Sequence, residues 1–224
     1  MEQVINRAPL FAALDPEGAA ALRASMQEFR FLKGDIVFNE GDDGDRLYVV
    51  SDGKVKLVHA SPDGRETLQA VMGPGDMFGE LSLFDPGPRT ATVAAITDTV
   101  LLGLHQSALR PWLTGRPEVA EALLRALAQR LRRTNENLSD LVFSDVPGRV
   151  AKALLDLGEK FGESRPDGLF VEHDLTQEEL AQLVGASRET VNKALADFVS
   201  RSWIRLESRS VTITDIDRLQ RRAR

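Results

Sequence analysis

Six residues near the middle of the chain, Leu124, Leu127, Leu131, Thr134, Leu138 and Leu141, fall at steps of 3, 4, 3, 4 and 3. That spacing is the a/d seam of a heptad repeat, and it predicts one long helix from about Pro117 to Val142. A stripe this narrow needs a partner. Either it pairs with its own copy across a two-fold axis, or it packs on the rest of its own chain. The flanking Arg130, Arg132 and Arg133 favour pairing with a copy. Thr134 is the polar position on an otherwise leucine seam, a place where coiled coils set their register.

The two sides of that helix differ in texture. From Phe29 to about Leu104 the sequence has short β-rich runs, Leu47–Val50, Val55–His59, Leu68–Met72, Thr90–Ile96 and Val100–Leu104. Turn signals separate them: Asp52-Gly53, Pro62-Asp63-Gly64, Gly73-Pro74-Gly75 and Asp85-Pro86-Gly87-Pro88. Many short strands so punctuated predict a sandwich, barrel or jelly roll. Ahead of them, Asp15 and Pro16 read as the N-cap and first residue of a helix running to about Met26. Beyond the long helix, Ser144-Asp145-Val146-Pro147-Gly148 reads as a hinge. It is followed by a helix over Arg149–Phe161, a loop over Gly162–Gly168, a strand near Leu169–Glu172, two helices, and strands at Ile204–Leu206 and Val211–Ile213. The expected fold class is α+β. An N-terminal jelly-roll (double-stranded β-helix) domain spans 1–116, a dimerisation helix 117–143, a hinge 144–148 and a winged helix-turn-helix 149–224.

Composition narrows the chemistry. The chain has no cysteine, which removes disulfides, thiol nucleophiles, zinc–thiolate sites and cysteine-ligated iron–sulfur clusters. No metal site is expected. Met1–Leu10 lacks the apolar core of a signal peptide, and no apolar run is long enough to span a bilayer. The net charge is −6, with −5 in residues 1–143 and −1 in 144–224. Between Ala186 and Arg209, however, Arg188, Lys193, Arg201, Arg205 and Arg209 outnumber Glu189, Asp197 and Glu207. It is this local face, not the total charge, that meets a phosphate backbone.

Two segments carry recognisable chemistry. The first is Phe78-Gly79-Glu80-Leu81-Ser82-Leu83, followed after five residues by Arg89-Thr90-Ala91. A glycine admits close backbone approach to a ligand, and a carboxylate accepts from a sugar hydroxyl. An arginine fork matches a phosphate, with the Thr90 hydroxyl as a further donor. Phe78, Leu81 and Leu83 are expected to bury the segment, so that its charges need partners. The plainer alternative makes Arg89 a surface ion pair with Asp85 and Glu80 a solvated loop acid. The second segment runs from Thr176 to Leu195. Thr176 and Glu179 form a capping box, Gly185 ends one helix, and Ser187 caps the next. Leu180, Leu183, Val191 and Leu195 point inward, whereas Arg188, Glu189, Asn192 and Lys193 point outward. So short a glycine-containing turn between two helices predicts a helix-turn-helix, whose second helix can read base edges in a major groove.

The first segment resembles the phosphate-binding cassette of cyclic-nucleotide-binding domains. Over residues 5–220 the chain is similar to the actinobacterial, cAMP-responsive branch of the Crp/Fnr transcription regulators. The resemblance implies cAMP as allosteric ligand. Glu80 would take the ribose 2′-hydroxyl and Arg89 and Thr90 the cyclic phosphate, with Gly79 and Leu81 lending backbone and packing and Thr134 and Asn135 touching the base. It also implies DNA contacts from Thr176, Ser187, Arg188, Glu189, Thr190, Asn192 and Lys193, a homodimer on a near-palindromic operator, RNA polymerase as a partner, and a cytoplasmic location. Asn135 and Lys193 depart from the serine and arginine usual in the family. The alternative keeps the family but has another ligand, or none, as the gate.

An enzymatic reading rests on His173-Asp174, the dipeptide of metal-dependent phosphohydrolases. Only His59 and His105 remain to complete such a site, and they sit in a predicted hairpin and at a strand–helix junction. Glycine-rich nucleotide-triphosphate and dinucleotide loops are absent from the sequence.

Overall fold

A computed structural model describes residues 8–61, 64, 66–85 and 87–223. Most of the Met1–Leu10 segment, Pro62 and Asp63 of one turn and Pro86 of another lie outside the described residues. The chain divides into two compact units, one ending at Arg132 and the other beginning at Arg133.

The first unit opens with helices α1 (Pro9–Ala12) and α2 (Pro16–Ala24). As expected, Asp15 caps α2, accepting from the Gly18 N–H at 2.7 Å. Eight strands follow: β1 (Gln27–Phe31), β2 (Ile36–Phe38), β3 (Arg46–Asp52), β4 (Val55–Ala60), β5 (Glu66–Met72), β6 (Met77–Phe78), β7 (Thr92–Ala95) and β8 (Thr99–His105). A four-residue helix α3 (Leu81–Phe84) sits between β6 and β7, and α4 (Gln106–Gly115) leads into the long α5 (Pro117–Phe143). The strands form two antiparallel four-stranded sheets of order β1-β8-β3-β6 and β2-β7-β4-β5, the jelly-roll architecture. Side-chain alternation explains why β3 reads as an unbroken apolar run. Tyr48 and Val50 pack with Val55, Leu57, Phe78 and Val93 between the sheets. Leu47 and Val49 face the other way and pack with Leu22, Leu109 and Leu123 of the helices. With both faces covered, the strand needs no polar residue over Leu47–Val50.

In the second unit, α6 (Val146–Phe161), α7 (Gln177–Val184), α8 (Arg188–Ser200) and α9 (Ile216–Arg222) surround a sheet of order β11-β12-β10-β9. Its strands are β9 (Gly162–Arg165), β10 (Gly168–Glu172), β11 (Ile204–Leu206) and β12 (Ser210–Ile213). The α7–α8 pair with the β11–β12 wing is the expected winged helix-turn-helix. Thr176 and Glu179 form the reciprocal capping box, and Ser187 accepts from the Thr190 N–H at 3.2 Å. Gly185 takes φ 69 and ψ 45, the left-handed conformation that closes α7.

Two expectations need correction. Residues 144–148 are not a five-residue break: α6 starts at Val146, Asp145 is its N-cap, and only Ser144 and Asp145 separate it from α5. Pro147 and Gly148 lie in the first helical turn, where proline's missing N–H is no loss. The Gly162–Gly168 loop is also not a loop throughout, because Gly162–Arg165 forms β9 and pairs with β10. Its side chains are all exposed, so no apolar alternation marked it in the sequence.

Most of the heptad stripe is exposed, with Leu127 half-buried. Val119 and Leu123 anchor the start of α5 in the core, but Leu124, Leu131, Leu138 and Leu141 are 67%, 61%, 62% and 53% exposed.

Candidate functional site

The segment from Phe78 to Ala91 is built on Phe78. Its fully buried ring stacks on Tyr48 (centroids 5.4 Å apart) and lies 6.0 Å from the Phe38 ring, which fixes the end of β6. Gly79 then turns at φ 78, and its carbonyl accepts from Arg89 Nη1 at 2.7 Å. A Cβ at Gly79 would lie 2.7 Å from that same Nη1, so only glycine fits.

Arg89 is 5% exposed and held on every side. Nη1 also donates to Ser82 Oγ at 3.1 Å, Nη2 donates to the Arg46 carbonyl at 2.8 Å, and the guanidinium carbon sits 4.2 Å from the Phe38 ring centroid. Its backbone pairs with the preceding loop, Arg89 N–H to the Asp42 carbonyl and Gly41 N–H to the Arg89 carbonyl. Burial lowers its pKa from the usual arginine value, while Tyr48, Asp45 and Glu80 push the other way. The group still stays charged at neutral pH. Among the described residues no carboxylate forms an ion pair with Arg89, and Nε has no hydrogen-bond partner. The expected alternative of an Asp85 pair is not formed. A buried cation whose hydrogen bonds all go to neutral acceptors is suited to take an anion.

Glu80 is no solvated loop acid either. It is 1% exposed, Oε1 accepts from Arg130 Nη1 of α5 at 2.8 Å, and Oε2 is buried with no partner among the described residues. A buried carboxylate oxygen lacking a donor is the acceptor a sugar hydroxyl would complete. Gly79, Leu81, Ser82, Arg89, Thr90 and Arg130 line one cavity with the apolar Phe38, Leu57, Ala91 and Val93.

Leu81, expected to be buried, is 42% exposed and lines the cavity, whereas Phe78 and Leu83 are buried as expected. Thr134 and Asn135 lie on an exposed stretch of α5, in the unit that begins at Arg133. Ser82 as a partner of Arg89, Phe38 as its aromatic face and Arg130 as the counter-ion of Glu80 emerge only from the folded structure. Ser82 sat inside the recognised segment. Arg130 stood out only as a flank of the heptad stripe, and Phe38 carried no signal.

In the helix-turn-helix, Arg188, Glu189, Thr190 and Lys193 are exposed along the first turns of α8. Glu189 and Lys193 are ion-paired at 2.7 Å and both largely exposed, an i,i+4 contact of the weak, solvent-screened kind. Asn192 is only half-exposed and its Oδ1 is buried without a partner, so its outward placement needs correction. The side chains of Thr176 and Ser187 are engaged as helix caps. His173 is buried, with Nδ1 accepting from the Leu175 N–H at 3.1 Å, and Asp174 turns the chain at φ 60. These are the duties of a turn rather than of a metal site.

Comparison with known proteins agrees with this division. Residues 28–114 match the cyclic nucleotide-binding domain family, and residues 148–222 match the Crp-like helix-turn-helix domain. The chain is 58% identical over 224 residues, all of both chains, to the CRP-like cAMP-activated global transcriptional regulator of Mycobacterium tuberculosis. It is 36% identical over 207 residues to the cyclic AMP receptor protein of Thermus thermophilus, covering 92% of this chain and 93% of the other. The crystal structure of the Thermus thermophilus catabolite activator protein is similar at TM-score 0.57 and 35% identity, covering 96% of this chain and 98% of that one. The chain therefore belongs to the Crp family of transcriptional regulators, a cyclic nucleotide-binding domain followed by a Crp-like helix-turn-helix DNA-binding domain, and it is not an enzyme.

Proposed function

We propose that this regulator is a homodimer that binds cAMP in the cassette and, in response, binds a near-palindromic operator. The observation that carries the ligand is the pairing of a buried, carboxylate-free Arg89 with the unpartnered Oε2 of Glu80 in one apolar-walled cavity. A cyclic phosphate supplies the anion, a ribose 2′-hydroxyl supplies the donor, and a purine covers the apolar wall. The relatives named as cAMP-activated or as cyclic AMP receptor proteins support the choice of cyclic nucleotide. The exposed leucine seam supports the dimer, since a second copy would cover it. In that dimer Thr134 and Asn135 contact the base, and Ser187, Arg188, Glu189, Thr190, Asn192 and Lys193 meet DNA, with Thr176 at the edge of the same face. RNA polymerase is the further partner and the cytoplasm the place of action.

Gating follows if cAMP favours a pre-existing DNA-competent arrangement of the α5 pair. Linkage then demands that operator tighten cAMP by the factor with which cAMP tightens operator, about 5–150-fold for ordinary couplings. The test is a pair of calorimetric titrations on the full chain, cAMP with and without operator and operator with and without cAMP. Equal factors support the scheme, and an operator affinity that ignores cAMP overturns cAMP as the gate. Arg89→Ala must abolish the cAMP effect, whereas Arg188→Ala must weaken operator more than random DNA and leave cAMP binding intact.

A further inference from the structure

The geometry points to Gln69 as the residue that reads the purine edge and selects adenine over guanine. This rests on the cyclic-nucleotide reading above. It assigns a role to a side chain that stood out neither in the cassette nor on the α5 seam.

The inference begins with a register fault. Along β4 and β5 the pairs run Val55↔Met72, Lys56↔Val71 and Leu57↔Ala70, and then jump to Val58↔Leu68. Gln69 is the extra residue of a β-bulge and has no partner across the ladder. Strict alternation from Met72, which packs in the inter-sheet core with Val55 and Leu57, would put Ala70 on the cavity face and Gln69 on the opposite one. The bulge cancels that alternation for one residue, and Gln69 lines the cavity beside Leu57 and Val93. Bulges re-aim side chains in this way next to binding sites.

Its surroundings define its task. Gln69 lies on β5, the edge strand of its sheet, whereas the anion-holding Gly79, Ser82 and Arg89 follow β6. Neighbouring lining residues on β4 and β7 are the apolar Leu57 and Val93, so on this wall the Gln69 amide is the group able to discriminate. It is exposed and makes no side-chain hydrogen bond among the described residues, so none of them competes for it. A glutamine amide offers one donor and one acceptor side by side, which match the N7 acceptor and N6 amine of adenine. Guanine presents two acceptors there, N7 and O6, and one of them would face the amide oxygen.

The experiment measures affinities of the full-length protein for cAMP, cGMP and the cAMP analogue whose N7 is replaced by carbon. Wild type is compared with Gln69→Leu and Gln69→Glu. Wild type should prefer cAMP and discriminate against the analogue. Gln69→Leu should lower the cAMP:cGMP affinity ratio by about 5–100-fold, the worth of one bidentate base contact, and bind the analogue as well as cAMP. Gln69→Glu keeps the acceptor and loses the donor, so it should drop the N7 dependence and still reject cGMP. All three proteins should melt alike, because the position is exposed. If wild type binds cAMP but the ratio and the N7 penalty are the same in the variants, Gln69 does not read the base and the cyclic-nucleotide reading stands. If wild type binds neither nucleotide, both readings fall.

Discussion

Removing Asp145 should loosen the DNA-binding unit at the point where α5 hands over to α6. Oδ1 of Asp145 accepts the Gly148 N–H at 2.9 Å, and Oδ2 pairs with Arg222 of the last helix at 2.6 Å. Loss of an N-cap costs about 0.5–2 kcal/mol. The ion pair adds little, since its side chains are 31% and 62% exposed, and pairs of this kind contribute roughly 0.2–1 kcal/mol. Asp145→Ala should therefore destabilise the second unit by about 1–3 kcal/mol. Asp145→Asn, which keeps the cap, should cost only the ion-pair share. Trp203, stacked on Phe198 at 5.5 Å, reports unfolding of this unit in urea once Trp112 is replaced by phenylalanine. The Asp145 carboxyl is held below its usual range, first by the Arg222 hydrogen bond and then by the Gly148 N–H. A lowered folded-state pKa gives stability that is full above the unfolded value of about 3.9 and lost as pH falls through the folded value. The gap between wild type and Asp145→Asn should thus be present at neutral pH and close in acid. An Asp145→Ala protein as stable as wild type, or a gap unchanged in acid, would refute the reasoning.

Three further outcomes are expected. In Gly44→Ala the new Cβ would lie 2.1 Å from Ser82 Oγ and 3.0 Å from the Arg89 guanidinium carbon, so the cradle must shift. Overpacking strain of about 1–3 kcal/mol should appear as weaker cAMP binding by calorimetry, with operator affinity without ligand unchanged. Gly185→Ala forces an L-residue into the left-handed region at a cost of about 1–2 kcal/mol. Leu141, 2.9 Å from that Cβ, is exposed enough to move aside, so urea melts should show the backbone cost alone. Leu131→Glu alters a side chain that is 61% exposed in the single chain. It should leave thermal stability of the jelly roll unchanged but yield monomers by light scattering, and a persisting dimer would place the interface elsewhere.

Where one residue type answers one local demand, the sequence alone was enough. The Asp52-Gly53 turn, the apolar runs of β3 and β4, the α5 heptads and the Thr176, Gly185 and Ser187 caps all act within a few residues, and these elements appear where that chemistry put them. Elements with weak local signals went unread: β9 has only exposed side chains, and α9 is secured by one buried anchor, Leu219. β7 begins at Thr92 rather than Thr90 because the Arg89 backbone is committed to Asp42 and Gly41, about fifty residues away in sequence. The site divides the same way. Glu80 and Arg89 were legible as residue types at a spacing. Tertiary structure decided that Arg89 lies among carbonyls and an aromatic ring instead of pairing with Asp85, that Arg130 neutralises Glu80, and that a bulge places Gln69 on the cavity wall. The physical reason is that burial and partnership depend on which distant segments pack together, and no local pattern in the chain encodes that.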